Sequence, residues 1–238
     1  MPASDHAHTV ATHLAQVRES IHDAAARAGR ELDSIKLIAV TKTQPITMIE
    51  AALASGQTTF GENTAQEALP KIDALRDRGL EWHFIGHLQS NKAKLIPGHF
   101  SWVHSLDSLK LAERLSQAAL AHRGVIQTLI EVNITRDPNK HGITPEALPV
   151  LVEQLLKAGL TGIALRGLMT IGPYPANEAD IRRAFASLRE LRDTCQRDFD
   201  LPDFNELSMG MSGDYTEAIL EGATMVRVGS AIFGDRVY

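Results

Sequence analysis

Eight short β-type runs, each followed by a helical segment, constrain this chain more than any other feature. The runs are Ile35–Thr41, Thr58–Gly61, Trp82–Gly86, Trp102–Ser105, Ile126–Asn133, Leu165–Ile171, Asn205–Met209 and Met225–Val228. Each is apolar or β-branched, too short for a helix, and bounded by glycine, proline or polar residues, which reads as a buried strand. Between them the apolar spacing changes to three and four, as in Leu111, Leu115, Ala118 and Ala119, or Ile181, Phe185, Leu188 and Leu191. Such alternation implies a parallel sheet covered by helices. An open doubly wound sheet also satisfies it, but eight units favour closure. The expected fold is α/β, a single (β/α)8 TIM barrel using all of residues 1–238. One extra helix precedes it, with Val10, Leu14, Val17, Ile21 and Ala25 on one face and Gly29 at its end.

Local signals refine this outline. Pro45 opens a helix that Gly56 stops. Thr64-Ala65-Gln66-Glu67 has the form of a capping box, and Pro70 predicts a kink or break in the helix that follows. A short helix is expected over Ser90–Leu95. Thr144-Pro145 supplies an N-cap and a first-turn proline for a helix ending at Gly159, and Asp214 starts one that Gly222 stops.

Apolar residues make up 44% of the chain and charged residues 22%, the composition of a globular protein. A net charge of −5 leaves no basic footprint for nucleic acid. The single cysteine, Cys195, excludes an internal disulfide and a Cys-rich zinc site, and reads as a half-buried apolar residue. Met1–Thr9 is polar, without the apolar core of a signal peptide, and no run reaches the length of a membrane span. The expectation is a cytoplasmic monomer that binds neither nucleic acid nor membrane.

A barrel carries its chemistry at the C-terminal ends of its strands. Lys42 ends the first. Burial there would lower the pKa of its ammonium group and favour the neutral amine that attacks an aldehyde, as Schiff-base lysines do. A surface lysine just past a strand is the other reading. Glycines and hydroxyls gather at the last two strands, in Ser208-Met209-Gly210-Met211-Ser212 and Gly229-Ser230. Barrels bind phosphate in that region, although the glycines also serve tight turns. Alternation puts Val226 and Val228 on the face toward the helices, so Arg227 points into the barrel. There it needs an acceptor: Glu62, Asp235, or a ligand's ring nitrogen.

Other candidates read as structural. His83 and His87, four apart, would face one way like a metal pair, but no third ligand accompanies them, and no metal site is expected. Glu131 is either an inward acid or a satisfied core carboxylate. Met209 and Met211 read as packing, and His6, His8 and His13 as solvated.

A Schiff-base lysine, a phosphate cradle and an inward arginine together suggest pyridoxal 5′-phosphate. Ala39-Val40-Thr41-Lys42, Phe60-Gly61-Glu62-Asn63, His83-Phe84-Ile85-Gly86-His87-Leu88-Gln89, Gly167-Leu168-Met169, Leu207-Ser208-Met209-Gly210-Met211-Ser212 and Val226-Arg227-Val228-Gly229-Ser230-Ala231-Ile232-Phe233-Gly234 resemble the pyridoxal phosphate homeostasis proteins, the YggS/PROSC family, from Ile35 to Gly234. The resemblance implies the barrel of alanine racemase and of eukaryotic ornithine decarboxylase. It implies that Lys42 holds pyridoxal phosphate as an internal aldimine. Ser208, Gly229 and Ser230 match phosphate-binding positions, Arg227 the arginine facing the pyridine nitrogen, and Asn63 and Met169 residues around the ring. Gln44 departs from the pattern, since several members carry a second lysine there. Lys140 keeps a lysine often seen in its loop.

Two functions of different class fit: a carrier that buffers pyridoxal phosphate or passes it to apo-enzymes, and an enzyme, a racemase or decarboxylase acting on amino acids. Arginine beside the ring leaves it a poorer electron sink than an acid would, which disfavours transamination but not racemisation. In the related racemases the second base is a tyrosine from an additional β-domain. This sequence ends at Tyr238 without one, and Tyr174 is the plausible substitute. The expectation is a carrier with no catalytic residues.

Overall fold

In the computed structural model, which describes residues 3–234, eight parallel strands close into one barrel in sequence order, β1 to β8, with β8 paired to β1. The strands are β1 (Lys36–Val40), β2 (Thr59–Glu62), β3 (Glu81–Phe84), β4 (Trp102–Leu106), β5 (Ile126–Glu131), β6 (Ile163–Met169), β7 (Glu206–Ser208) and β8 (Met225–Val228). The helices are α1 (Ala3–Arg27), α2 (Ile46–Ala54), α3 (Ala65–Ala74), α4 (Leu109–Ala121), α5 (Leu148–Ala158), α6 (Glu178–Asp198), α7 (Tyr215–Leu220) and α8 (Ser230–Phe233). The barrel is the expected one.

The core has two parts, as strand alternation requires. The larger lies between sheet and helices and takes Ala39, Phe60, Trp82, Phe84, Ile130, Leu168, Leu207, Val226 and Val228. The smaller, inside the barrel, joins Ile38, Leu129, Met169 and Met225, with Trp102 and Ile171 against it. All five predicted face residues of α1 are buried. They are needed because the eighth helix is one turn long: α1 packs on α2, α7 and α8 and completes the helical layer beside β8 and β1. Arg18 donates to the Ser55 carbonyl at 2.7 Å, and Arg30 donates to the Ala223 carbonyl at 2.7 Å, tying α1 and its exit to the ends of α2 and α7.

Local departures have physical causes. The capping box does not form: Thr64 is the N-cap of α3 but its side chain makes no cap bond, and Glu67 binds Lys71 and the Thr43 amide instead. Pro70 does not break α3, which runs continuously from Ala65 to Ala74. The proline removes a single amide from the ladder, and the chain is pinned on its far side by Lys71, whose ammonium bridges α3 to the barrel. Pro145 starts a 3₁₀ turn, Pro145–Ala147, so α5 begins three residues later than expected. The Ser90–Leu95 segment has its predicted bounds but is also 3₁₀. Cys195 is fully buried rather than half-buried. His13 is not simply solvated, since its Nδ1 lies 3.1 Å from the Ile232 carbonyl oxygen; the side chain of His6 falls outside the described residues. No helix among the described residues is long and apolar enough to cross a membrane.

Candidate functional site

At the C-terminal end of the barrel a cavity of about 800 Å³ opens, in the range of small-molecule sites. Its walls include Lys42, Asn63, Met169, Arg227, Gly229 and Ser230, six of the seven positions expected to meet a cofactor. Val40, Ile85, Ile171 and Met211 add apolar surface, while Gln44, Ser212 and Asp214 complete the polar side. Met211 is therefore at the mouth, 39% exposed, and not in the core as expected; Met209 is buried.

Lys42 is half-buried just past β1, and its flanks are anchored on both sides. Thr41 donates to Glu62 Oε1 at 2.7 Å. Lys71 donates to the Thr41 carbonyl at 2.9 Å, to Glu62 Oε1 at 2.8 Å and to Glu67 Oε1 at 2.8 Å. Glu67 also accepts the amide of Thr43, whose φ of 64° is held by that contact. Burial raises the pKa of Glu62, against the hydrogen bonds from Lys71 and Thr41 that lower it. Glu62 thus serves the lysine loop and makes no ion pair with Arg227. Asp235, the other acid considered for that pairing, falls outside the described residues.

Arg227 is buried and points inward, as alternation requires. Its Nη1 donates to Ser208 Oγ at 2.7 Å and its Nη2 to the Thr170 carbonyl at 2.9 Å. Burial lowers its pKa to about 10, opposed by Asp214 and Glu131, so the guanidinium stays charged at neutral pH. Glu131 is an inward acid, and burial raises its pKa to about 7.

Ser208 is the expected residue that the structure does not bring to the cavity. It is fully buried one step below the mouth, and its hydroxyl is engaged by Arg227 and by His104 Nδ1 at 2.8 Å. The hydroxyl at the cradle is Ser212, whose Oγ accepts the amides of Gly229 at 3.2 Å and Ala231 at 3.3 Å. It lies in the same quoted motif; the available signal was its position in the loop after β7, beyond the reach of strand alternation. Gly229 itself has φ −118°, outside the left-handed region, and a Cβ there would meet Val40 at 3.4 Å, an ordinary contact. Neither backbone strain nor internal crowding calls for glycine, which leaves the cavity beside it as the reason. Gly86 is the contrary case, since a Cβ would lie 2.0 Å from the Asn63 carbonyl oxygen. Only glycine lets the chain after β3 pass Asn63 at the mouth.

His83 and His87 do not face one way. His83 lies inside the barrel, with Nδ1 2.8 Å from His104 Nε2, while His87 sits beyond the strand, stacked on His141 at 4.0 Å. Among the described residues no three His, Cys, Asp or Glu side chains are grouped to hold a metal ion. Lys140 reaches the mouth from its loop and donates to the Gly172 carbonyl at 2.7 Å.

The donor set fits pyridoxal phosphate: an amine, a guanidinium, amide and hydroxyl donors beside a glycine, and apolar walls for a flat ring. Comparison with known proteins agrees. A family model described as the alanine racemase N-terminal domain matches residues 12–237. The pyridoxal phosphate homeostasis protein of Pseudomonas aeruginosa is 45% identical over 234 residues, 97% of each chain. This chain belongs to the pyridoxal phosphate homeostasis family. Another structure in its likeness is PipY of Synechococcus elongatus, solved with PLP bound, with 37% identity and a TM-score of 0.83 over 94% of this chain and 100% of that one. Alanine racemase from Corynebacterium glutamicum shares the fold, with a TM-score of 0.68 at 18% identity, over 98% of this chain and 62% of that one. Within the homeostasis family, then, the barrel mouth is built here from Lys42, Arg227 and the Ser212–Gly229 turn.

Proposed function

We propose that this chain binds pyridoxal 5′-phosphate at the barrel mouth and serves its homeostasis inside the cell, buffering the cofactor or delivering it to apo-enzymes without turnover of its own. Lys42 meets the aldehyde, Arg227 faces the ring nitrogen, and Asn63 and Met169 border the ring. Gly229, Ser230 and Ser212 take the phosphate, with Ser208 behind Arg227 in place of the phosphate role expected for it. The observation that carries the reading is the convergence of Lys42 and Arg227 with the Gly229–Ser230 turn on one cavity of about 800 Å³. The PLP-bound relative of the same barrel supports it. Bound there, pyridoxal phosphate supplies an aldehyde that captures amines and a ring that withdraws electrons from them.

The residues divide the work. The anchored flanks hold the Lys42 amine at the mouth. Arg227, whose pKa of about 10 keeps it positively charged and its protons in place at neutral pH, orients the ring without protonating it. Backbone amides and hydroxyls bind the phosphate by the geometry that suits anions. The protein acts as a monomer in the cytoplasm on this reading.

Absorbance and covalent trapping test it. Protein incubated with pyridoxal phosphate should show a long-wavelength band that borohydride bleaches, with the cofactor then fixed on Lys42 in a peptide map. Lys42→Ala should lose the covalent link and keep weaker binding through the phosphate cradle. A protein that stays colourless with excess cofactor overturns the proposal.

A further inference from the structure

A continuous file of polar side chains crosses the barrel interior from floor to mouth. At the floor, Lys36 Nζ donates to Glu81 Oε1 at 2.8 Å, and both side chains are about one-third exposed. Glu81 Oε1 also meets His83 Nε2. His83 Nδ1 lies 2.8 Å from His104 Nε2, and His104 Nδ1 lies 2.8 Å from Ser208 Oγ. Ser208 Oγ takes Arg227 Nη1 at 2.7 Å. His83, His104 and Ser208 are fully buried. None of them lines the cavity, and the cofactor reading gives His83 and His104 no task.

The donors in this file can be assigned from its ends. A carboxylate only accepts and a guanidinium only donates. Glu81 therefore requires a proton on His83 Nε2. A neutral His83 then accepts at Nδ1, so His104 carries its proton on Nε2 and accepts at Nδ1. The Ser208 hydroxyl proton must go to His104, leaving its lone pairs for Arg227. Every group is satisfied, and every bond runs the same way, from Arg227 down to Glu81. Hydrogen bonds aligned in this way polarise one another in a low-dielectric interior.

The charged groups around the two imidazoles maintain that state. Lys36 of β1 and Arg227 of β8 both disfavour a further positive charge, and among the described residues Glu81 of β3 is the acid bonded to the file; Glu131 of β5 and Asp214 act on Arg227 beyond it. Burial keeps His83 and His104 below the usual histidine range, and hydrogen bonds from His83 and Lys36 hold Glu81 at about 2. Trp102 lies parallel to His83 at 5.4 Å and fixes its ring.

We propose that Glu81, His83, His104 and Ser208 are positioning residues, a one-way hydrogen-bond relay from the barrel floor that fixes the Arg227 guanidinium in the mouth. Its effect on ligand binding rests on the function proposed above; its existence does not. Removing Glu81 leaves Lys36 as the floor group, a donor facing His83 Nε2. The relay then reverses, His104 donates toward Ser208, and Arg227 loses an acceptor polarised in its favour.

Nitrogen-15 spectra of histidine-labelled, cofactor-free protein test the relay directly. His83 and His104 should both be neutral with the proton on Nε2 from pH 5 to 8. Glu81→Gln, which keeps an acceptor oxygen, should retain those tautomers, while Glu81→Leu should move both protons to Nδ1. A wild-type proton on Nδ1, or either histidine titrating like a solvated imidazole, overturns the relay. With pyridoxal phosphate added, Glu81→Leu should shift the absorption maximum and weaken half-saturation roughly tenfold, the worth of one good hydrogen bond, and Glu81→Gln should not. Correct tautomers with no change in spectrum or affinity in Glu81→Leu overturn the positioning role and leave the proposed function standing. Wild-type protein that takes up no cofactor overturns the proposed function, while the tautomers still decide the relay.

Discussion

Glu131 is buried within the field of an arginine and yet holds a proton more readily than a free glutamate, because the loss of water outweighs the attraction of Arg227. Its folded pKa of about 7 stands above the ordinary 4.5, so the folded state holds this proton more tightly than the unfolded one. Stability from this group is therefore full below about pH 4.5 and declines as pH rises through about 7. Glu131→Gln keeps the shape and removes the charge. In cofactor-free protein it should match wild type within error near pH 4.5 and be more stable at pH 8, by about 1–3 kcal/mol given ~1.4 kcal/mol per pKa unit. Urea melts at the two pH values measure this; an equal gain at both sinks the assignment. Asp214 is raised by burial in the same direction, but its Oδ1 accepts the Met211 amide at 2.6 Å, which opposes the shift and ties it to the loop.

Between β1, β2 and α3 the structure depends on one buried cation. Lys71 holds Glu62, Glu67 and the Thr41 carbonyl, and through them both neighbours of Lys42. Lys71→Met strands the Glu62 carboxyl group without its main partner, and losses of about 3–5 kcal/mol are typical of such buried pairs. Glu62→Leu combined with Lys71→Met should recover much of that stability in a thermal melt, yet leave pyridoxal phosphate uptake slower than wild type because Thr41 and Thr43 stay loose. Recovery of stability and uptake together would show that the network only supports the fold. This network was hidden in the sequence by a plausible local rule. Thr64 and Glu67 have capping-box spacing, but Lys71 stands four residues beyond Glu67 on the same helix face and competes for the carboxylate. Arg227, by contrast, was legible: Val226 and Val228 belong to the outer core, Met225 to the inner one, and alternation alone turns the arginine inward. Ser208 shows where alternation stops. It gives the right face but no depth, because β7 is three residues long and Gly210, at φ 92°, turns the chain away so that Ser212 returns to the mouth.

At the scale of the whole molecule, a barrel of the alanine racemase N-terminal domain type carries a cavity in which, among the described residues, a second acid–base group opposite Lys42 has no settled place. Inversion of an α-carbon needs an acid–base group on each face of the flattened centre. Lys42 serves one. The candidate for the other is Tyr174, which borders the cavity but is 92% exposed, so no packed neighbours hold its phenol within reach of a bound amino acid. Water at such an open mouth also weakens the electrostatic support that a closed site gives a developing negative charge. Loaded with pyridoxal phosphate, the protein should therefore show negligible racemisation of L-alanine, L-serine, L-lysine or L-proline, and no CO₂ release from ornithine or lysine. Slow exchange of the α-proton into deuterated solvent without inversion accords with one-sided chemistry at Lys42. Chiral chromatography of long incubations distinguishes the cases. Many turnovers of inversion, abolished by Lys42→Ala, would make the protein a racemase and refute the carrier reading. Tyr174→Phe would then separate the two bases: if it blocks inversion but leaves α-proton exchange intact, the exposed loop closes over the substrate and supplies the second face.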